Sequence, residues 1–159
     1  MSSAAPIYCF DTSALIEWWV RHYPPDLVPG LVPRMEALIA SGRAIVPSFV
    51  LGELEVGGDE LSKWAKAQPG FARMETEPVQ LMARDLLRSY RRPGKKTKGI
   101  NNADPFVIAM GAQTAACIVV TAEKDGSDAN PKIPYVCKEV GVECIRFIDM
   151  WRREGWRLA

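Results

Sequence analysis

Short β-prone apolar runs at 7–10, 44–46, 117–120 and 143–145 alternate with stretches of helical periodicity, and no other feature restricts the fold as much. Strands separated by helices do not close as tight hairpins. Parallel neighbours need crossover connections, so the alternation predicts an α/β fold with a mainly parallel sheet. Cys117 to Val120, apolar at every position, suits a central strand covered on both faces.

Between these runs the helices are legible from spacing. Asp11, Thr12 and Ser13 follow the first run and open a helix whose one face carries Leu15, Trp18, Trp19 and His22, ended by Pro24 and Pro25. Leu31, Met35, Leu38 and Ile39 mark a second helix stopped near Gly42, and Ser48 opens a third after the break at Pro47. A polar helix is expected over 59–68. The stretch 71–77 takes no assignment. Val79, Met82, Ala83, Leu86, Leu87 and Tyr90 form the clearest amphipathic stripe, running out into a basic loop that ends near Gly99. A helix beginning at 102–105 buries Ala103, Phe106, Val107, Met110 and Gly111; short helices are expected over 134–139 and 147–153.

The chain has 159 residues, 48% of them hydrophobic, so one compact domain over 1–159 is expected. Twenty Lys and Arg against nineteen Asp and Glu leave a net charge of +1, so any charge-driven function must come from local clusters. Cys9, Cys117, Cys137 and Cys144 are far apart in apolar segments and read as buried thiols; with one histidine, His22, and no pair of ligands at finger-like spacing, no zinc site is expected. The start MSSAAPIYCF carries no basic and then apolar leader, and no uncharged apolar stretch approaches membrane-spanning length. A soluble cytoplasmic protein is expected.

Ligands of open α/β sheets bind beyond the carboxyl ends of the strands, which draws attention to Asp11 after the first run and to Thr121 and Glu123 after 117–120. Asp11 is equally explicable as a helix N-cap, and Asp104, in a first turn followed by Pro105, as a cap or dipole-complementing acid. Glu53 has Phe49, Val50 and Val56 as its helical neighbours, which places it on the side expected to face the core. A carboxylate there must be paired, protonated or metal-bound. Glu55 falls on the opposite side and is expected in water. Three or four converging acids suit Mg²⁺ or Mn²⁺, which prefer oxygen ligands and, bound to a phosphodiester, activate water and stabilise developing charge.

The segments YCFDTSALI at 8–16, PSFVLGELEVG at 47–57, NNADPFVIAMG at 101–111 and IVVTAEKD at 118–125 resemble, in order, the motifs of PIN-domain nucleases. The resemblance implies a PIN-like three-layer α/β/α sandwich with a mainly parallel sheet of four or five strands. It further implies a metal-dependent endoribonuclease acting on single-stranded RNA. It carries catalytic and metal-ligand roles onto Asp11, Glu53, Asp104 and Glu123, supported by Ser13 and Thr121, with Asn102 and Thr121 expected to orient water, phosphate or an acid. The family's fourth acid is often Asp, so Asp125 and Asp128 stand beside Glu123 as candidates. Relation to VapC-type toxins implies a protein antitoxin as partner, and the family also implies a homodimer.

Arg88, Arg91, Arg92, Lys95, Lys96 and Lys98 form the one local run of positive charge, suited to an RNA backbone or to a helix C-terminus and a solvated loop. The five tryptophans suit stacking on unpaired bases but read first as core or partner contacts, and Trp156, in a polar tail, as a candidate dimer or inhibitor contact. Two rivals remain. One is an aspartate-based phosphotransferase or phosphatase using Asp11 as nucleophile, although Ser13 stands where such enzymes carry a second acid. The other is a non-catalytic PIN-like binding module whose acids are structural.

Overall fold

The structure, a computed structural model, describes residues 4–57, 59–92 and 98–158. All four expected runs are strands: β1 (Ile7–Phe10), β2 (Ala44–Pro47), β6 (Cys117–Val120) and β7 (Glu143–Ile145). A fifth, β3 (Ala72–Arg73), pairs parallel with β2 inside the stretch left without an assignment. Two residues are too few to show a period. The sheet order is β3-β2-β1-β6-β7 with every neighbouring pair parallel, and helices flank it.

That order has a consequence for the site. The chain builds outward from β1 through β2 to β3, then returns to the other side of β1 with β6. The crevice between the carboxyl ends of β1 and β6 is therefore the point where strand order reverses, the usual binding position of open α/β sheets. Asp11 and Thr121 stand there, with Asp11 N–H donating to the Val120 carbonyl at 2.9 Å.

Eight α-helices are present among the described residues. They are α1 (Thr12–Ile16), α2 (Leu31–Ala40), α3 (Ser48–Gly57), α4 (Asp59–Lys66), α5 (Glu77–Tyr90), α6 (Asp104–Gln113), α7 (Ile133–Val140) and α8 (Phe147–Arg153). The first departs from expectation. After α1 the turns widen into a π-helical stretch, Glu17–His22, with Tyr23 N–H reaching back five residues to the Trp18 carbonyl at 3.1 Å. The wider turn keeps both Trp18 and Trp19 against Trp64, at ring-centroid distances of 5.0 and 5.5 Å. His22, which shares one helical face with Leu15, Trp18 and Trp19 in the sequence pattern, is exposed.

The expected basic loop opens and closes as a ribbon in which β4 (Arg91–Arg92) pairs antiparallel with β5 (Lys98–Gly99). Cys9 and Cys137 are buried as expected, but Cys117 and Cys144 are only half-buried; all four are free thiols. Trp156 is half-buried, packs against the core and accepts the Trp151 indole N–H on its backbone carbonyl at 2.7 Å, so it folds back on its own chain. Among the described residues no helix is long and apolar enough to cross a membrane.

α6 lies close on the sheet at Gly111, where an added Cβ would stand 2.6 Å from Val119 Cγ2 and 3.3 Å from Val142 Cγ1. Val119 is fully buried and has nowhere to retreat. Alanine gains about 1 kcal/mol of helix propensity over glycine. Overpacking costs about 1–3 kcal/mol and wins here. Gly111→Ala is expected to destabilise the protein by about 1 kcal/mol net, read as a lower denaturation midpoint at unchanged slope. An unchanged or raised midpoint would show that α6 can slide away from β6.

Candidate active site

Asp11 occupies the N-cap position of α1, yet its carboxylate caps nothing. Its backbone carbonyl serves the helix, accepting from Ala14 N–H at 3.1 Å. The side chain turns into the crevice instead, where Ser13 Oγ–H donates to Oδ2 at 2.5 Å and Thr121 Oγ1–H donates to the same oxygen at 2.9 Å. Both hydroxyls are fixed from behind: Ala122 N–H donates to Ser13 Oγ at 3.0 Å and Glu123 N–H to Thr121 Oγ1 at 3.1 Å. Among the described residues no hydrogen bond reaches Oδ1. One oxygen is thus held by the protein and one is left for another partner.

Glu53 arrives from α3 for a reason the helical pattern misjudged. Phe49 and Val56, two of the apolar neighbours that placed Glu53 on the core side, are themselves 51% and 91% exposed; the core side of α3 is Val50 and Leu54. Glu53 is half-buried at the rim of the crevice and held by Thr12 Oγ1–H, which donates to its Oε1 at 2.5 Å. No local sequence pattern marks the roles of Thr12 and Glu75 here. Glu75, buried after β3, accepts from Ser48 Oγ–H at 2.9 and 2.8 Å and from Phe49 N–H at 3.2 Å. It supplies from a distant loop the cap that α3 lacks locally, and so fixes the helix that carries Glu53.

Asp104 sits in the first turn of α6 and does carry the local bond expected of an acid there: its Oδ2 accepts from Asn101 N–H at 3.2 Å. Asn102 is exposed, with φ 51, a left-handed conformation that Asn tolerates better than most residues. Glu123 ties the loop after β6 to the start of α7, its Oε1 accepting from Ile133 N–H at 3.0 Å.

Asp11 and Asp104 feel the charges of acids from other segments. Burial pushes the Asp11 carboxyl up to about 6, with the charges of Glu123 and Glu53 adding to it and the Ser13 and Thr121 hydroxyls opposing it. Asp104 is pushed up to about 8 by burial and then by the charges of Asp11, Glu123 and Glu53, against the Asn101 hydrogen bond. These perturbing charges are all carboxylates. Neither Asp125 nor Asp128 is among them; Asp128 instead pairs with Arg92 at 3.3 Å, and Asp125 is exposed.

As the side chains stand, no group of three or more Asp, Glu, His or Cys among the described residues is gathered closely enough to hold a metal ion. Glu53 and Glu123 each keep one oxygen in a protein hydrogen bond. The donor set nonetheless fits a hard divalent cation: all oxygen, mutually repelling, and with Asp11 Oδ1 free.

Of the expected RNA-contacting cations, Arg91 is exposed, but Arg92 is engaged: Nε donates to the Asp128 carbonyl at 2.9 Å and Nη1 to the Ser89 carbonyl at 2.7 Å. With Gly99 N–H donating to Asn130 Oδ1 at 3.1 Å, the β4–β5 ribbon is bonded to the loop that leads from Glu123 to α7. Arg92 therefore serves that junction. Lys95, Lys96 and the side chain of Lys98 lie outside the described residues.

A family model described as Domain of unknown function (DUF4411) matches residues 8–158. Among solved structures, the crystal structure of FitAcB from Neisseria gonorrhoeae is similar, with a TM-score of 0.52 and 17% identity over 87% of this chain and 96% of that one. That likeness concerns the fold. No match is found among the curated proteins.

Proposed function

The chain belongs to the DUF4411 family, and within its α/β fold we propose that it is a Mg²⁺- or Mn²⁺-dependent endoribonuclease of the PIN-like kind, cleaving single-stranded RNA. One observation carries the reading. Beside the strand-order reversal, burial and then the charges of Asp11, Glu123 and Glu53 push the Asp104 carboxyl up to about 8. Carboxylates crowded without a cation oppose folding, and a site that tolerates this is a candidate for function. When bound, a divalent ion supplies the charge that neutralises the acids and the Lewis acidity that activates water toward a phosphodiester.

The chain's own residues do the positioning. Ser13 and Thr121 hold Asp11 by Oδ2 and leave Oδ1 for a ligand, Thr12 and Glu75 set Glu53, and the turn at Asn101 sets Asp104. The motif resemblance supports RNA as substrate. It also supports a protein antitoxin as partner and a homodimer as assembly.

Cation dependence is testable through stability as well as cleavage. In the unfolded chain Asp titrates near ~3.9, so between about pH 4 and 8 the metal-free fold binds more protons than the unfolded state and loses stability as pH rises. Mg²⁺ is expected to remove that loss, raising Tm more at pH 8 than at pH 5, and to switch on RNA cleavage that EDTA abolishes. A Tm indifferent to Mg²⁺ and Mn²⁺ at pH 8, without cleavage, would sink the nuclease and favour the binding module. The module draws its support from the absence of a gathered ligand set among the described residues.

A further inference from the structure

Beside the acids lies a cleft of ≈ 720 Å³ whose character is apolar. It runs between α3 and the start of α6, with Phe49, Gly52 and Glu53 on one wall and Asn102 and Phe106 on the other. The Phe49 and Phe106 rings lie 4.4 Å apart, centroid to centroid, tilted by 34°. Phe49 is not held there by core packing, since Val50 and Leu54 already bury α3 and Phe49 stays half exposed. At Gly52 a Cβ would meet nothing within 4 Å, so the helix wall opens into free space where the cleft needs room.

The lining names its occupant by chemistry. Among the described residues no Lys or Arg lines the cleft, and its walls there do not suit a phosphate. The Phe49 and Phe106 rings already touch each other, so the open surface is the exposed face of Phe49; with one carboxamide beside it, that face suits a flat, uncharged heterocycle, stacked on the ring and read at its edge by an amide that both donates and accepts. Docking of an apolar partner helix would strip water from Glu53 without supplying a counter-charge. Glu53 also belongs to both features, lining the cleft and acting on Asp11 and Asp104. We propose that the cleft between Phe49, Phe106 and Asn102 binds one unpaired nucleobase of the RNA, seating the adjacent phosphodiester at the acidic cluster. This rests on the nuclease reading for the phosphodiester, while the base contact stands on the cleft itself.

The test compares a short fluorescein-labelled single-stranded RNA with the same RNA carrying base-free sugars, by anisotropy without added metal ion, so that backbone electrostatics cancel in the ratio. Wild type is expected to prefer the intact RNA by about 10-fold, the scale of one stacked base. Phe49→Ala and Gly52→Leu are expected to erase that preference while binding base-free RNA as wild type does. Gly52→Leu puts bulk only into open space and favours the helix, so it separates a filled cleft from a damaged fold. No preference in wild type, or a preference that survives in both variants, overturns the proposal. So does self-association that Phe49→Ala abolishes in the absence of base preference, which would assign the surface to a second copy. Absence of Mg²⁺-dependent cleavage beside an intact base preference removes the nuclease reading and leaves the base site standing.

Discussion

Asp11→Asn is expected to lower metal-dependent RNA cleavage on the order of 10²- to 10³-fold, with the protein still folded and, without metal, no less stable than wild type. The two halves of that expectation have one cause. Asp11 is 2% exposed and pushed up to about 6 by burial and by Glu123 and Glu53. Removing its charge relieves repulsion in the metal-free protein, so near pH 8 the variant should gain stability. The same change removes an anionic oxygen that the Ser13 and Thr121 hydroxyls hold in place. A purely structural acid would behave in the opposite way, losing stability on substitution. Asp104→Asn should follow the same pattern, with a larger gain at pH 8 because its carboxyl is pushed higher. Undiminished cleavage by either variant would end the assignment. Loss of stability in both at pH 8 would instead mark the acids as scaffold.

How far such a site is legible beforehand depends on whether its determinants are local. Asp11 and Thr121 follow apolar runs directly, so finding the strands finds them. Glu53 marks the limit of helical spacing: helical neighbours identify a buried face only if those neighbours are buried, and Phe49 and Val56 are exposed. Their exposure makes sense if that face serves a ligand, because a functional surface departs from the rule linking apolar periodicity to burial. Thr12 and Glu75 stayed invisible because their partners, Glu53 and Ser48, are 41 and 27 residues away. The only local trace of Glu75 is an acid in a stretch with no period. β3 is illegible for the same reason, since a two-residue edge strand takes its identity from β2. The ribbon at Arg91–Arg92 and Lys98–Gly99 likewise depends on pairing that charge composition does not encode.

Trp18→Ala is expected to be the most destabilising single change in the core, costing about 3–5 kcal/mol. Against a domain stability of about 5–15 kcal/mol that is a large fraction. Trp18 is fully buried, stacked on Phe147 at 5.7 Å and 14°, with the edges of Trp64 and Trp19 at 5.0 and 5.3 Å. One ring thereby joins the π-helical stretch to α4 and α8. Its Nε1–H is also the one buried side-chain nitrogen or oxygen without a hydrogen-bond partner among the described residues, a defect worth about 1–3 kcal/mol. Trp18→Phe removes that donor together with part of the volume, so the two effects oppose and the net loss is expected below about 2 kcal/mol. Equal losses for Ala and Phe in urea denaturation would show that the indole N–H is satisfied, for instance by a buried water. The effect should reach the site as well. Thr12 and Ser13, which hold Glu53 and Asp11, lie on α1, and the π-helical stretch anchored by Trp18 continues it. Trp18→Ala should therefore weaken Mg²⁺ stabilisation under conditions where the variant is still folded, whereas Trp18→Phe should keep it.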